Sequence, residues 1–216
     1  MSKRPRPPTV TDAQVRDVLA RFACELPFPA VRTRLLGSIA SPDPLVTPLR
    51  AVEALWGGAL PVFDSMEDAN ELISVLVMGL WNQLSEHQHR SAPFRLTRIE
   101  VSATREGVAT LALMREQEVW NFGLGLVGST PAPKFPERAD RAMGVLFQVR
   151  GIAIGIRERA EDREKDMSTE DCAGLIQQFR DVTKAAEHEI HEAVLACARA
   201  RRAIMPGAPA GRPVGR

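Results

Sequence analysis

The densest set of chemically capable side chains in the sequence is Glu187-His188-Glu189-Ile190-His191-Glu192. Imidazole nitrogens and carboxylates are the ordinary protein ligands of zinc and its neighbours, so this run is the first place to look for a metal. The zinc-protease pattern needs two histidines four residues apart with a glutamate directly after the first. Here the spacing is three. The apolar stripe of the surrounding helix runs through Cys172, Leu175, Phe179, Val182, Ala186, Ile190, Val194 and Cys197. At about 100° per residue, His188 projects opposite that stripe and His191 well off it. The spacing therefore predicts a charged, solvated face, with His188, His191 and Glu192 as the metal-ligating candidates. Glu86-x-x-His89 is the unit that di-iron bundles use twice; it occurs here once, at a helix end. His87 continues an apolar face and reads as a packing histidine. Gly123-Leu-Gly125-Leu-Val-Gly128 matches the dinucleotide fingerprint by letter. That chemistry needs the glycines ahead of a helix N-terminus, whose N–H groups face the pyrophosphate. Ser129, Thr130, Pro131 and Pro133 follow instead, so the glycines read as a close-packing helix end. No phosphate loop, nucleophile elbow or placeable Cys–His pair is present. No catalytic residue and no cofactor is assigned.

The elements that would position these groups are helices. Thr11 reads as an N-cap before Val15, Val18, Leu19 and Phe22, and Pro27 and Pro29 end that helix. A second helix carries Leu35, Leu36 and Ile39. Thr47-Pro48 opens a third, which Gly57-Gly58 stops. Ser65, with Asp68 three residues on, opens a fourth whose run from Ile73 to Trp81 is apolar nearly all round; such a helix is expected at the centre of the bundle. Over 94–127 two readings compete. Partial alternation around Phe94, Leu96, Ile99 and Val101, with a turn at Thr104-Arg-Glu-Gly107, suggests a short β-hairpin over 94–113. The favoured reading keeps 94–103 extended and starts a helix after Thr104, with Val108, Leu111, Arg115, Val119 and Phe122 on one face. After the linker at 128–136, a long helix from about 137 to 163 and a last one from 168 to about 204 form a hairpin. The fold class expected is all-α, a bundle of about six helices ending in a long helical hairpin. The domain division expected is a basic disordered tail at 1–10, a helical unit at 11–128, the hairpin at 137–204 packed on it, and a disordered tail at 205–216.

The 137–163 helix carries two apolar stripes, one of them Met143, Phe147 and Ile154, which calls for burial against two neighbours or a second subunit. Gly151-x-x-x-Gly155 with Gly144 lets another helix approach closely. These features make Met143, Phe147 and Ile154 the interaction candidates, with Trp56 and Trp120 beside them. The partner expected is another protein or a second copy of the chain. Of 28 basic residues, eight lie at the ends (Lys3, Arg4, Arg6, Arg199, Arg201, Arg202, Arg212 and Arg216), leaving 20 basic against 27 acidic between positions 7 and 198. An acidic body disfavours nucleic-acid binding, which needs clustered Lys and Arg. A helix-turn-helix within 11–56 would have only Arg32 and Arg34 as readers. The run from Ile73 to Trp81 is about half the length a bilayer requires, so no membrane partner is expected. Three scattered cysteines, Cys24, Cys172 and Cys197, imply no disulfide framework and a cytoplasmic location.

Between Leu35 and Leu84 the residues Leu36-Gly37-Ser-Ile-Ala40, Leu55-Trp56-Gly57 and Pro61-Val-Phe63 lead to a Ser65-started helix ending in Leu80-Trp-Asn82-Gln-Leu84. Farther on comes Phe122-x-x-Gly125-Leu126. This stretch, about 35–128, resembles the bacterial YecA/YgfB family of small helical proteins, with Asn121 where that family usually has Gly. The resemblance implies an all-helical fold and a non-enzymatic, protein-binding and regulatory role. It supplies no catalytic residues. Many YecA-like proteins end in a Cys- and His-rich zinc tail; this chain has only Cys197 there, so no zinc site carries over. The function expected is therefore protein–protein interaction. A metal-dependent helical enzyme using the Glu/His clusters, and nucleic-acid association through the basic termini, are the alternatives.

Overall fold

Short polar side chains start most of the helices. In the computed structural model, which describes residues 9–128, 133–164 and 166–204, Thr11 Oγ1 accepts from Gln14 N at 3.2 Å while Gln14 Oε1 accepts from Thr11 N at 2.9 Å. This closes a reciprocal capping box on α1 (Asp12–Arg21). Thr47, Ser65, Thr104 and Ser168 each accept from the backbone N–H three residues on, at 3.1–3.2 Å. Each such cap is worth about 1 kcal/mol. They open α3 (Pro48–Glu53), α4 (Met66–Ile73), α6 (Arg105–Val127) and α8 (Thr169–Ile204). α2 (Phe28–Ala40) starts at Pro27 with Pro in its first turn, and α7 (Glu137–Glu161) starts at Pro136. α4 continues without a break through a π-helical stretch, Ser74–Trp81, into α5 (Asn82–Ser85). Counting that run as one rod, the described chain is an all-α bundle of seven helices, close to the six or so expected. The first eight residues of the basic N-terminal segment, the middle of the 128–136 linker and the C-terminal tail lie outside the described residues.

Among the described residues there is no strand, so the hairpin alternative over 94–113 is not formed. Thr104 caps a helix instead of turning one strand into another. The segment 94–101 is extended, and helices rather than a strand satisfy its backbone. Leu96 N donates to Glu187 Oε1 at 3.0 Å and Thr97 N to Glu118 Oε1 at 2.9 Å. Thr97 O accepts from Arg115 Nη2 at 2.7 Å. Glu118 and Arg115 are themselves paired and buried, at 0% and 5% exposure.

The central helix is α6, which packs on α2, α7 and α8. The apolar run from Ile73 to Trp81 lies to one side, and its Met78 is 49% exposed. Hydrophobicity misdirects here because α6 buries polar groups too: Arg115, Glu118 and Asn121 are inside and hydrogen-bonded, so the most enclosed helix is not the greasiest. α2 crosses α6 with backbones nearly touching. A Cβ on Gly37 would stand 2.2 Å from Phe122 O, and one on Gly125 2.0 Å from Arg34 O. Ala186, Ile190, Val194 and Cys197 of α8 join the same core as α2 and α6. A smaller cluster at the other end of the bundle unites Val108 and Leu111 with Ala153, Cys172 and Phe179. The C-terminal hairpin is thus built into the core at both ends. No described helix is long and apolar enough to cross a membrane.

Candidate functional site

α7 turns one side inward and leaves the opposite side bare. Ala139, Ala142, Met143, Leu146, Val149 and Ala153 face the bundle. The outward line is Gly144, Gln148, Gly151 and Gly155, all exposed. A Cβ at any of the three glycines would meet nothing within 4 Å. At helical pitch this line is a shallow trough, walled by Val145 and Ile152 on one flank and by Phe147 and Ile154 on the other. Val145 is 36%, Ile152 46% and Phe147 54% exposed. Large apolar side chains beside an empty glycine trough are a surface that another helix can enter closely.

On the Phe147 flank the trough borders a cleft of about 310 Å³ between α6 and α7. Val119, Gly123, Met143 and Leu146 line it, Trp120 and Phe147 stand at its rim, and Arg34 and Arg150 complete it. Arg150 lies over the Trp120 ring at 4.4 Å and meets Glu116 at 3.4 Å. Arg34 Nη1 donates to Asn121 Oδ1 at 3.4 Å. Burial pulls the Arg34 guanidinium below its ordinary pKa.

The interaction candidates therefore part company. Met143, Phe147 and Trp120 meet in one cleft, but Met143 is 8% exposed and belongs to its lining rather than to an open surface. Its Cε is the atom nearest to where a Gly123 Cβ would be, at 3.1 Å. Ile154 is half-buried. Trp56 lies elsewhere, in the 3-10 turn that follows α3: its Nε1 donates to Phe22 O at 2.8 Å and ties that turn to the end of α1. Nothing in the residue spacing assigns Arg34 or Arg150 to this cleft. Their one signal is a charged residue at a helical position whose neighbours turn inward.

The metal candidates do not converge. Among the described residues no three His, Cys, Asp or Glu side chains are placed to hold an ion. His188 is exposed, as its position opposite the stripe requires. His191 is half-buried rather than solvated, and its buried Nδ1 has no hydrogen-bond partner among the described residues. The cause is simple: the 86–88 turn packs against α8 and brings His87 towards His191, on what would otherwise be an open flank. Glu192 meets Arg138 Nε at 3.4 Å, and Glu189 meets the same guanidinium at 2.6 Å. His87 packs edge-on to Phe94 with ring centroids 5.2 Å apart, its Nδ1 donating to Ala92 O at 2.8 Å. Burial pushes its pKa below the ordinary histidine value. Glu86 and His89 are both exposed.

The glycines of 123–128 sit at the C-terminal end of α6, where carbonyls rather than N–H groups are presented. Gly125 admits the α2 backbone, and Gly128, at φ +68°, ends the helix. A pyrophosphate would meet the wrong end of the dipole. Arg32 and Arg34, the readers of a helix-turn-helix, are both half-buried: Arg32 reaches Thr97 Oγ1 at 3.2 Å and Arg34 turns into the cleft. No family model matches the chain, nor does any curated protein or solved structure.

Proposed function

We propose that the protein is a non-enzymatic docking protein whose outer α7 face receives a second copy of the chain. The observation that carries this reading is the bare glycine trough with Val145, Phe147 and Ile152 exposed along its walls. A second copy suits the face because an antiparallel crossing at Gly151 makes it self-complementary. Phe147 of one copy then lies near Ile154 and Gly155 of the other. Antiparallel helix dipoles favour the same arrangement. The resemblance to YecA-like proteins, with the regulatory role it implies, fits an activity exerted through association. A cytoplasmic setting suits the three cysteines, none of which is disulfide-bonded.

The test is light scattering and sedimentation equilibrium of the native chain beside Phe147→Glu and Ile152→Glu. Burying one carboxylate on either flank is expected to weaken self-association at least about tenfold, since it strands a charge at the centre of the contact. At protein concentrations low enough for the native chain to be monomeric, helical circular dichroism and the melting temperature should stay near the native values, because both side chains are about half exposed in the single chain. A native protein that stays monomeric at every concentration, or Ile152→Glu associating like the native chain, ends the proposal. Should Phe147→Glu unfold while Ile152→Glu remains folded and associated, Phe147 is a core residue and the trough is not the contact.

A further inference from the structure

The cleft between α6 and α7 contains a positive charge that the fold leaves uncompensated. Arg34 is half-buried, and among the described residues its only side-chain hydrogen bond runs to the neutral amide oxygen of Asn121, at 3.4 Å. Among the described residues, which include every Asp and Glu of the sequence, no carboxylate pairs with it. Other arginines of the bundle are treated differently: Arg150 and Arg157 each meet Glu116, and Arg138 meets Glu189. Partly desolvated guanidinium groups normally find an anion, because their hydration has been taken away and nothing else repays it. Arg150 beside it is paired through Glu116 but not fully satisfied. Arg150 also lines the cleft, and its buried Nε has no hydrogen-bond partner among the described residues. The remaining lining is apolar, from Val119, Leu124, Met143 and Leu146, and the volume of 310 Å³ is at the lower end of the range for small-molecule sites, about 300–1,000 Å³.

We propose that this cleft binds an amphipathic carboxylate, its alkyl or aryl part against Val119 and Met143 and its carboxylate on the Arg34 guanidinium. The planar fork of Arg34 offers two parallel N–H donors to one carboxylate, which a neutral head group cannot use in the same way. Trp120 and Phe147 at the rim supply flat apolar surface for the part of the chain nearest the mouth.

Isothermal titration of the full chain with octanoate, and with octanol as the uncharged isologue, tests the site. The native protein is expected to bind octanoate at least about tenfold more tightly than octanol, the difference a charge-assisted hydrogen bond makes. Arg34→Met is expected to abolish that preference, and Arg34→Lys to retain part of it. Octanoate binding no tighter than octanol, or giving no saturable heat, overturns the proposal whatever the variants do. So does a folded Arg34→Met that binds octanoate as the native chain does. The outcome is separable from self-association, because Ile152 lies outside the cleft: Ile152→Glu should bind octanoate normally even as a monomer.

Discussion

Glu118→Ala is expected to cost about 3–5 kcal/mol of stability, seen as a fall in the urea midpoint with little change in slope. Glu118 is fully buried, and its carboxylate does two jobs at once, pairing with Arg115 and accepting the amide of Thr97 at 2.9 Å. Removing it strands a guanidinium that is 5% exposed and leaves a backbone N–H without its acceptor. Each loss alone is a large one. The double replacement Arg115→Met with Glu118→Leu removes both charges and is expected to cost clearly less than Glu118→Ala. The Thr97 amide and carbonyl would still lose their partners, so the double variant should not become more stable than the native protein. If the single variant shifts the midpoint by less than about 1 kcal/mol, the pair is not the buried unit described above.

Gly125→Ala is expected to destabilise by about 3 kcal/mol or slightly more, at the top of the usual range for overpacking. The methyl would stand 2.0 Å from Arg34 O and 2.9 Å from Ser38 N, which are backbone atoms of α2 and cannot rotate away. The crossing itself must open, and Gly37→Ala, facing Phe122 O at 2.2 Å, should behave alike. The same change on α7 should have the opposite sign. At Gly144 the added methyl meets nothing within 4 Å, so Gly144→Ala is expected to gain up to about 1 kcal/mol from helix propensity. Thermal melts of the two variants at low protein concentration, where association makes no contribution, measure the contrast.

Local rules read much of this fold correctly. Thr11, Thr47, Ser65, Thr104 and Ser168 all cap the helices their positions announce, because capping depends on residues within one turn. The solvated side of α8 at His188 followed from the same helical arithmetic. What local rules do not encode is which elements become neighbours. The run from Ile73 to Trp81 is greasier than α6, yet α6 is central because Gly37 and Gly125 let α2 reach it and because Arg115 and Glu118 satisfy each other. His191 left the solvated face because a segment a hundred residues away in sequence covers it. Of the interaction candidates, Phe147 and Trp120 remain at the surface while Met143 and Trp56 are held by packing or a hydrogen bond. Periodicity shows that a stripe is apolar; only the tertiary arrangement shows which part of it is covered.

The extended segment at 94–101 sets an order of events as the chain acquires its structure. α6, α7 and α8 follow one another and can pair by short loops, the kind of contact that makes helical proteins quick. Leu96 and Arg95, by contrast, find Glu187 only by spanning 91 and 92 residues, and their partner does not exist until α8 has docked. Closing so wide an arc is entropically slow compared with zipping neighbouring rods, and it is repaid only when the carboxylate is already in place. We expect these contacts to be made only once α8 has docked, so that Glu187→Ala should speed unfolding while leaving the folding rate nearly unchanged, a split that stopped-flow denaturant jumps measure.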